Sequence, residues 1–370
     1  MSAVESIDEV VGLPDDQAVR SDLSQGLTLP VELYSDPAVY RLEQSRIFAR
    51  SWQYACHISK LSSVGDYVVT AAGETPIIVT RAGDGALHGF VNACRHRLHP
   101  LATENGHCSR LLQCPYHGWS YELDGQLRSA PRSNNEAEFD LSSIHLAPVA
   151  VETWDQWVFV NPDADATPLR DLTKEISEYS GALNQDLREY DFAVRYEYDM
   201  ECNWKIWAEN AIECYHCPTL HRSSFGKAYE SGPDDYSIKW WNDTIWHSAP
   251  IKWLPKDRDP TSLKGFRFAF LWPNSFFAVD DYVGFVGAVV PKGPERCHAF
   301  VDMYTPAGRD ADIAEEWLKL WDDTLEEDKL ATDRQQLGYR SGMVPHGRLM
   351  TGSEGALSAF MRRTWDALSR

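Results

Sequence analysis

Two short runs gather side chains that bind metals: Cys94-Arg95-His96 and, after seventeen further residues, Cys114-Pro115-Tyr116-His117. Two thiolates and two imidazoles can hold one tetrahedral zinc. They can equally hold a [2Fe–2S] cluster, with both Cys on one iron and both His on the other. Zinc sites more often pair like ligands, whereas each run here mixes one Cys with one His. Each loop would then give one ligand to each iron, a natural way for two loops to clasp a binuclear cluster. Pro115, Gly118 and Gly106 suit tight loops whose backbone N–H groups approach bridging sulfides. His99 and His107 are spare and are expected at the surface or beside the ligands. On spacing alone, a structural zinc in a β-ribbon stays open.

A second group spans residues 203–221, Asn-Trp-Lys-Ile-Trp-Ala-Glu-Asn-Ala-Ile-Glu-Cys-Tyr-His-Cys-Pro-Thr-Leu-His. The three-residue spacing of Glu213 and His216 predicts that they stack on one helical face. His221, five residues beyond His216, does not fit that face. Pro218 disfavours α geometry at Cys217, so the helix is expected to break there and let His221 fold back. Two His plus one carboxylate form a facial triad that leaves open positions on Fe(II). For the carboxylate, a late helix offers Asp322, Asp323, Glu326, Glu327 and Asp328. Trp317, Trp321 and Leu325 form its apolar stripe, and Asp328 falls about 20° from that line at 100° per residue. A carboxylate on a buried face needs compensation, which a metal supplies. An Arg partner or a set of hydrogen bonds would do the same and stays open. Asp322 and Asp323 point elsewhere and are expected to be solvated.

These residues need a scaffold. Residues 1–30 are polar and are expected to start loosely. Over 31–50 a short helix is predicted, with Asp36 as its cap, Pro37 in its first turn, and Val39, Leu42 and Ile47 on one face. From Trp52 to about Asn161, short β-rich runs separated by Gly, Asp and Pro turns predict a small all-β domain. Residues 162–172 read as a linker, and the stretch 173–187 opens helical. Alternation returns over 192–203, and a helix is expected from Trp204 to about Tyr215. Several strands follow over 265–305, then a long helix from about Asp312 to Leu337. The fold class is α+β. The expected divisions are an N-terminal segment 1–48 packing on the catalytic domain, a β domain 49–163 and a catalytic domain 164–370.

The formal net charge of −20 argues against nucleic acid or an anionic membrane as partner. No apolar run nears the ~18 residues of a membrane span. The acidic N-terminus, MSAVESIDEVVGLPDDQ, lacks a basic region followed by an apolar one, so a cytoplasmic location is expected. Thiols stay reduced there, and the eight cysteines read as metal ligands and core thiols. Cys56, Cys108, Cys202, Cys214, Cys217 and Cys297 receive no ligand role, and Cys214 and Cys217 read as core thiols beside His216.

C-R-H-R…C-P-Y-H-G-W resembles the Rieske motif of ring-hydroxylating oxygenase α subunits. N-W-K-x-x-x-E-N-x-x-E-C-Y-H-x-x-x-x-H is similar to the catalytic-iron motif of the same family, and Glu327-Asp328 in the late helix resembles the place of its third ligand. The likeness spans roughly residues 30 to 340. It implies an all-β Rieske [2Fe–2S] domain and a helix-grip-like catalytic domain with an antiparallel sheet flanked by helices. It implies Cys94, His96, Cys114 and His117 on the cluster, and His216, His221 and Asp328 on a mononuclear Fe(II). Glu213 falls where the family places an acid bridging the two centres. Most aromatic-ring dioxygenases carry Asp there, and some quaternary-ammonium demethylating members carry Glu. Asn210 lies near a family asparagine beside the iron, at a spacing one residue shorter than in some members. The family also implies a head-to-tail homotrimer in which one subunit's cluster abuts its neighbour's iron.

No dinucleotide fingerprint is present, so electrons are expected from a separate NAD(P)H-dependent reductase, directly or through a ferredoxin. A small substrate is expected. Twelve aromatics over 239–289 (Trp240, Trp241, Trp246, Trp253, Phe266, Phe268, Phe270, Trp272, Phe276, Phe277, Tyr282 and Phe285) could wall a pocket for a ring or, by cation–π contact, for a quaternary ammonium. The acidic balance and Glu213 rank oxidative N-demethylation of a betaine-like compound ahead of hydroxylation or dihydroxylation of an aromatic. A Rieske electron carrier without an oxygenase site is the reading of another class, and the second ligand set argues against it.

Overall fold

The computed structural model describes residues 12–182, 189–232, 236–241, 243–252, 265–308 and 311–370. The chain forms two compact units, one of Phe48–Asp171 and one joining the stretch up to Ile47 with Leu172–Arg370.

The first unit holds strands β1 (Gln53–His57), β2 (Asp66–Ala72), β3 (Thr75–Arg81), β4 (Leu87–Val91), β5 (Gly106–His107), β6 (Leu111–Gln113), β7 (Ser120–Glu122), β8 (Leu127–Ser129), β9 (Pro148–Trp154) and β10 (Trp157–Asn161). Seven pair in the order β1-β10-β9-β4-β3-β2-β5, and β6-β7-β8 form a small second sheet. Side chains alternate across a strand, so β3 feeds two cores. Ile77 and Val79 pack with Val68, Val158 and Val160. Ile78, on the opposite face, joins Phe90, Cys94, Cys114 and Tyr121. The two cysteines of the metal-binding runs are thus part of a hydrophobic core.

The second unit is built on an antiparallel sheet of β11 (Tyr190–Met200), β12 (Ser237–Trp241), β13 (Thr244–Ala249), β14 (Phe266–Leu271), β15 (Ser275–Val279), β16 (Gly284–Gly293) and β17 (Arg296–Pro306). Its order is β11-β17-β16-β15-β14-β13-β12. The longer helices are α1 (Asp16–Ser24), α2 (Pro37–Arg46), α3 (Leu169–Ala182, entering from the first unit), α4 (Trp204–Ala211), α5 (Ala311–Arg340) and α6 (Gly355–Leu368). Asp36 caps α2 as predicted, accepting from the Ala38 amide at 2.7 Å. The loose N-terminus is corrected in part: α1 is a capped helix with Val19 and Leu23 buried. The Trp365 indole donates to Asp16 at 2.8 Å, fastening α1 to α6. Two apolar residues in a polar run are too few to show a stripe. Residues 1–11, and residues 183–188 of the predicted 173–187 helix, lie outside the described residues. No described helix is long and apolar enough to cross a membrane.

The base of α4 is polar yet buried. Lys205 pairs with Glu43 of α2, and the Trp204 indole donates to the same carboxylate at 2.9 Å. Glu209, one turn on, is left with the Tyr34 hydroxyl, which donates at 2.6 Å. Burial pushes Glu209 up from the ordinary 4.5 to about 8, against the opposing pull of Tyr34 and Lys205. The folded protein therefore holds this proton more tightly than the unfolded chain does. The stability it contributes is fully present below about pH 4.5 and is lost as pH rises through about 8, by on the order of a few kcal/mol. Thermal melts from about pH 5 to about pH 9 are expected to show a fall in Tm that Glu209→Gln flattens by several degrees. Parallel curves for the two proteins would show that Glu209 ionises freely in the folded state.

Candidate active site

In the first unit, each metal-binding run is a tight loop closed by its own backbone. The Cys94 amide donates to the His99 carbonyl and the Leu98 amide to the Cys94 carbonyl, each at 2.9 Å. In the second loop, the Cys114 amide bonds Trp119 and the Gly118 amide bonds Cys114. Gly118 has a φ of +74°, which favours glycine. Cys94 and Cys114 are buried, while His96 and His117 are exposed. The His96 and His117 Nδ1 atoms face each other at 3.2 Å. Trp119 stacks on His96 with ring centroids 4.9 Å apart. The Tyr121 hydroxyl contacts Cys94 Sγ at 3.2 Å and accepts from the Arg95 amide at 3.0 Å. The sulfur pair thus sits inside and the imidazole pair outside, the polarity a two-iron cluster with unlike ligand pairs requires. His99 and His107 stay at the surface, bonded to the Pro100 carbonyl and to Asp66.

In the second unit, His216, His221 and Asp328 converge. The two Nε2 atoms are 3.1 Å apart, and the Asp328 carboxylate lies 3.0 Å from His221 and 3.4 Å from His216. The route differs from the one the spacing predicts. Helix α4 ends at Ala211, so Glu213 and His216 share no helical face. Glu213 instead sits in the turn and accepts from the Tyr215 and His216 amides and from His216 Nδ1. Pro218 does not terminate a helix. It occupies the first turn of a short one, Cys217–Leu220, where its missing N–H costs nothing, and His221 caps the end. Asn210 donates to Asp328 at 2.8 Å.

Each imidazole has its Nδ1 tied to a carboxylate: His216 to Glu213, and His221 to Glu327 at 2.8 Å. This fixes the Nδ1–H tautomer and turns both Nε2 lone pairs toward Asp328. Both Nε2 atoms and the Asp328 carboxylate can each offer a lone pair to one point, and three carboxylates surround the two rings. Such an arrangement fits a divalent cation. Without one it takes up protons. Burial pulls His216 down, but Asp328 and Glu213 outweigh it and lift it to about 10. Burial would raise Asp328, yet the two imidazoles hold it well below the usual carboxylate range.

Several partners were not legible in the sequence. Glu327 also accepts from the Ser224 hydroxyl. His247 of β13, which burial pushes down to about 3, donates through Nε2 to the Ile212 carbonyl at 2.8 Å and accepts from Tyr236. It thereby anchors the end of α4. Asp322 is not simply solvated, since Tyr198 donates to it at 2.7 Å. Asp323 is exposed and pairs with Lys319. Cys214 and Cys217, expected as reduced thiols, form a disulfide because the tight turn brings their Cα atoms to 5.0 Å.

An aromatic-lined pocket opens beside the triad. Of the twelve aromatics in the 239–289 stretch, Phe266, Phe268, Phe276 and Phe285 line it, joined by Trp207, Phe225 and Trp321. Trp240 and Trp241 are exposed, and Trp253 lies outside the described residues. Among the described residues lining the pocket there is no Lys or Arg.

Comparisons with known proteins fit this geometry. Residues 51–162 match the Rieske [2Fe-2S] domain family, and residues 187–370 match the ring hydroxylating alpha subunit (catalytic domain) family. The chain is 30% identical over 346 residues to the chloroplastic choline monooxygenase of Beta vulgaris, covering 90% of this chain and 75% of that protein. It is 28% identical to the carnitine monooxygenase oxygenase subunit of Escherichia coli K12, covering 89% of each. A solved quaternary ammonium Rieske monooxygenase, described in terms of carnitine oxidation and inter-subunit electron transfer, superposes with a TM-score of 0.86 at 25% identity over 97% of this chain and 99% of that one. Naphthalene 1,2-dioxygenase from Rhodococcus sp. shares the fold, with a TM-score of 0.81 at 19% identity, covering 95% of this chain and 97% of that one.

Proposed function

The chain belongs to the Rieske oxygenases with a ring-hydroxylating α-subunit catalytic domain, and from that premise we propose that it mono-oxygenates a small quaternary ammonium compound, leading to N-demethylation or C–N cleavage. We assign Cys94, His96, Cys114 and His117 to the [2Fe–2S] cluster, and His216, His221 and Asp328 to the mononuclear iron. The convergence of two Nε2 atoms and one carboxylate within 3.4 Å, beside an aromatic pocket, carries this reading. When bound, the cluster supplies electrons and the iron supplies O2 activation.

The chain's own residues then have separable tasks. Glu213 and Glu327 hold the Nδ1 protons of the two imidazoles and keep their Nε2 atoms turned to the metal. Asn210 donates to Asp328 and fixes the carboxylate's orientation. Phe266, Phe268, Phe276 and Trp321 offer ring faces that attract a quaternary ammonium without hydrogen bonds, and they keep water from the site. Glu213 adds negative charge to the pocket lining. The lack of described Lys or Arg on its walls suits a cation better than an anion. As further parts of the proposal, the protein is cytoplasmic, takes electrons from a separate NAD(P)H-dependent reductase, and works as a homotrimer in which Glu213 bridges one subunit's iron to its neighbour's cluster.

Substrate-dependent O2 uptake with a surrogate reductase, over choline, betaines, carnitine-like compounds and aromatic acids, tests the substrate class. Uptake coupled to the trimethylammonium compounds is expected. Coupled uptake with aromatic acids alone would transfer the reading to aromatic hydroxylation. In the same assay Phe268→Leu is expected to raise KM for the cationic substrate about 3- to 30-fold while leaving a neutral tert-butyl isostere unaffected. Equal losses for both would show that shape, not charge, is recognised.

A further inference from the structure

Cys214 and Cys217 flank His216, line the pocket and are joined by a disulfide. Cys217 Sγ lies 3.9 Å from His216 Nε2. One donor atom each from His216, Cys217 and His221 falls within 4.8 Å of the others. A nitrogen and a sulfur sharing one tetrahedral metal stand about 3.6 Å apart, so Cys217 is already near ligand position. A disulfide sulfur is a poor ligand, whereas a thiolate is a strong, soft one that favours zinc or cobalt over harder surroundings. A second close thiol pair, Cys202 and Cys297 with sulfurs 3.8 Å apart, is unbonded and buried away from this pocket.

We propose that Cys214–Cys217 is a redox-modification site that sets which donors the metal site presents. When oxidised, it leaves two imidazoles and a carboxylate with open positions beside them. When reduced, it adds the Cys217 thiolate as a fourth donor, fills an open position and moves the site's preference toward zinc and cobalt. The exchange balances with glutathione: two glutathione thiols reduce the protein disulfide to two thiols and leave as oxidised glutathione, metal binding by Cys217 releases its thiol proton to solvent, and the reverse reactions restore the bond. The inference rests on the assignment of His216, His221 and Asp328 as ligands.

The test uses full-length protein that keeps its cluster, so that Cys94 and Cys114 stay occupied, after a chelator has stripped the mononuclear iron. Co(II) is added to samples poised with reduced or oxidised glutathione. Bound cobalt is counted, the near-ultraviolet sulfur-to-cobalt charge-transfer band is recorded, and alkylated cysteines are mapped by mass spectrometry. The reduced sample is expected to show the band and two additional alkylated sites, at positions 214 and 217. The oxidised sample lacks both. Cys217→Ser abolishes the band in reduced protein, and Cys214→Ser keeps it. Bound cobalt without a sulfur band in the reduced wild type would overturn the proposal while leaving the ligand assignment intact, as would a band of equal strength in Cys217→Ser. Cobalt that fails to bind, or binds equally well to Asp328→Ala, would overturn the proposal together with the ligand assignment beneath it.

Discussion

Asp328→Ala is expected to empty the mononuclear site while leaving the [2Fe–2S] cluster and its visible spectrum in place. Among the described residues Asp328 supplies the only carboxylate oxygen found within 3.4 Å of both Nε2 atoms, and it sits in the middle of the 30-residue helix α5, in a different compact unit from the loops that carry Cys94 and Cys114. Two imidazoles alone hold Fe(II) weakly, so affinity should fall by at least about 100-fold and turnover with it. Iron counting is the direct measurement, with about three irons per chain in the wild type and about two in the variant. Glu327 is the obvious substitute, but its carboxylate is engaged by His221 Nδ1 and Ser224. A variant that kept three irons would show that Glu327 or another acid is the true ligand. Asp328→Glu keeps the charge but displaces the carboxylate, and a partial loss is expected.

Glu213→Gln is expected to keep all the iron yet lose on the order of 100-fold or more in turnover. The amide oxygen can still accept from the Tyr215 and His216 backbone, so the turn carrying His216 should survive. With that oxygen on the amides, the new NH2 group faces His216 Nδ1, so the anionic acceptor there is lost, and with it the link proposed between the two centres. Single-turnover experiments separate the possibilities. If Glu213 couples the sites, reoxidation of a pre-reduced cluster slows in parallel with product formation. Normal reoxidation with little product would confine Glu213 to orienting His216, and full activity would remove both roles.

How much of this was legible in the sequence depended on how local the physics is. Cys94, His96, Cys114 and His117 announce themselves because two loops hold the whole ligand set. Trp119 stacking on His96 and Tyr121 touching Cys94 do not, since only the small β6-β7-β8 sheet places them. Asp328 emerged from its phase against Trp317, Trp321 and Leu325, and the structure places it beside both imidazoles. Glu327, one residue earlier, lies off that stripe and is drawn in by Ser224 and His221 from a different part of the chain. The expected helical stacking of Glu213 on His216 missed the early end of α4, because a carboxylate that binds the next turn's amides competes with helical continuation. Strand β12 is mostly exposed and shows no alternation, which hid the edge of the sheet from periodicity. Helix α6 buries Leu357, Phe360, Met361 and Trp365 and lies beyond the last helix that the sequence predicts.

Half of the pocket's ring-bearing walls come from neighbouring strands, Phe266 and Phe268 from β14, Phe276 from β15 and Phe285 from β16, while every proposed ligand to the iron sits on the 212–221 turn or on α5. Apart from Trp321, which shares α5 with Asp328, the residues proposed to select the substrate lie on strands that carry no proposed ligand. Exchanging a Phe on the sheet for a smaller or polar residue recuts the cavity without touching a hydrogen bond to either imidazole. Descendants of one such scaffold can drift from one amine to another, or from amines to rings, while inheriting an unaltered oxygen-handling apparatus.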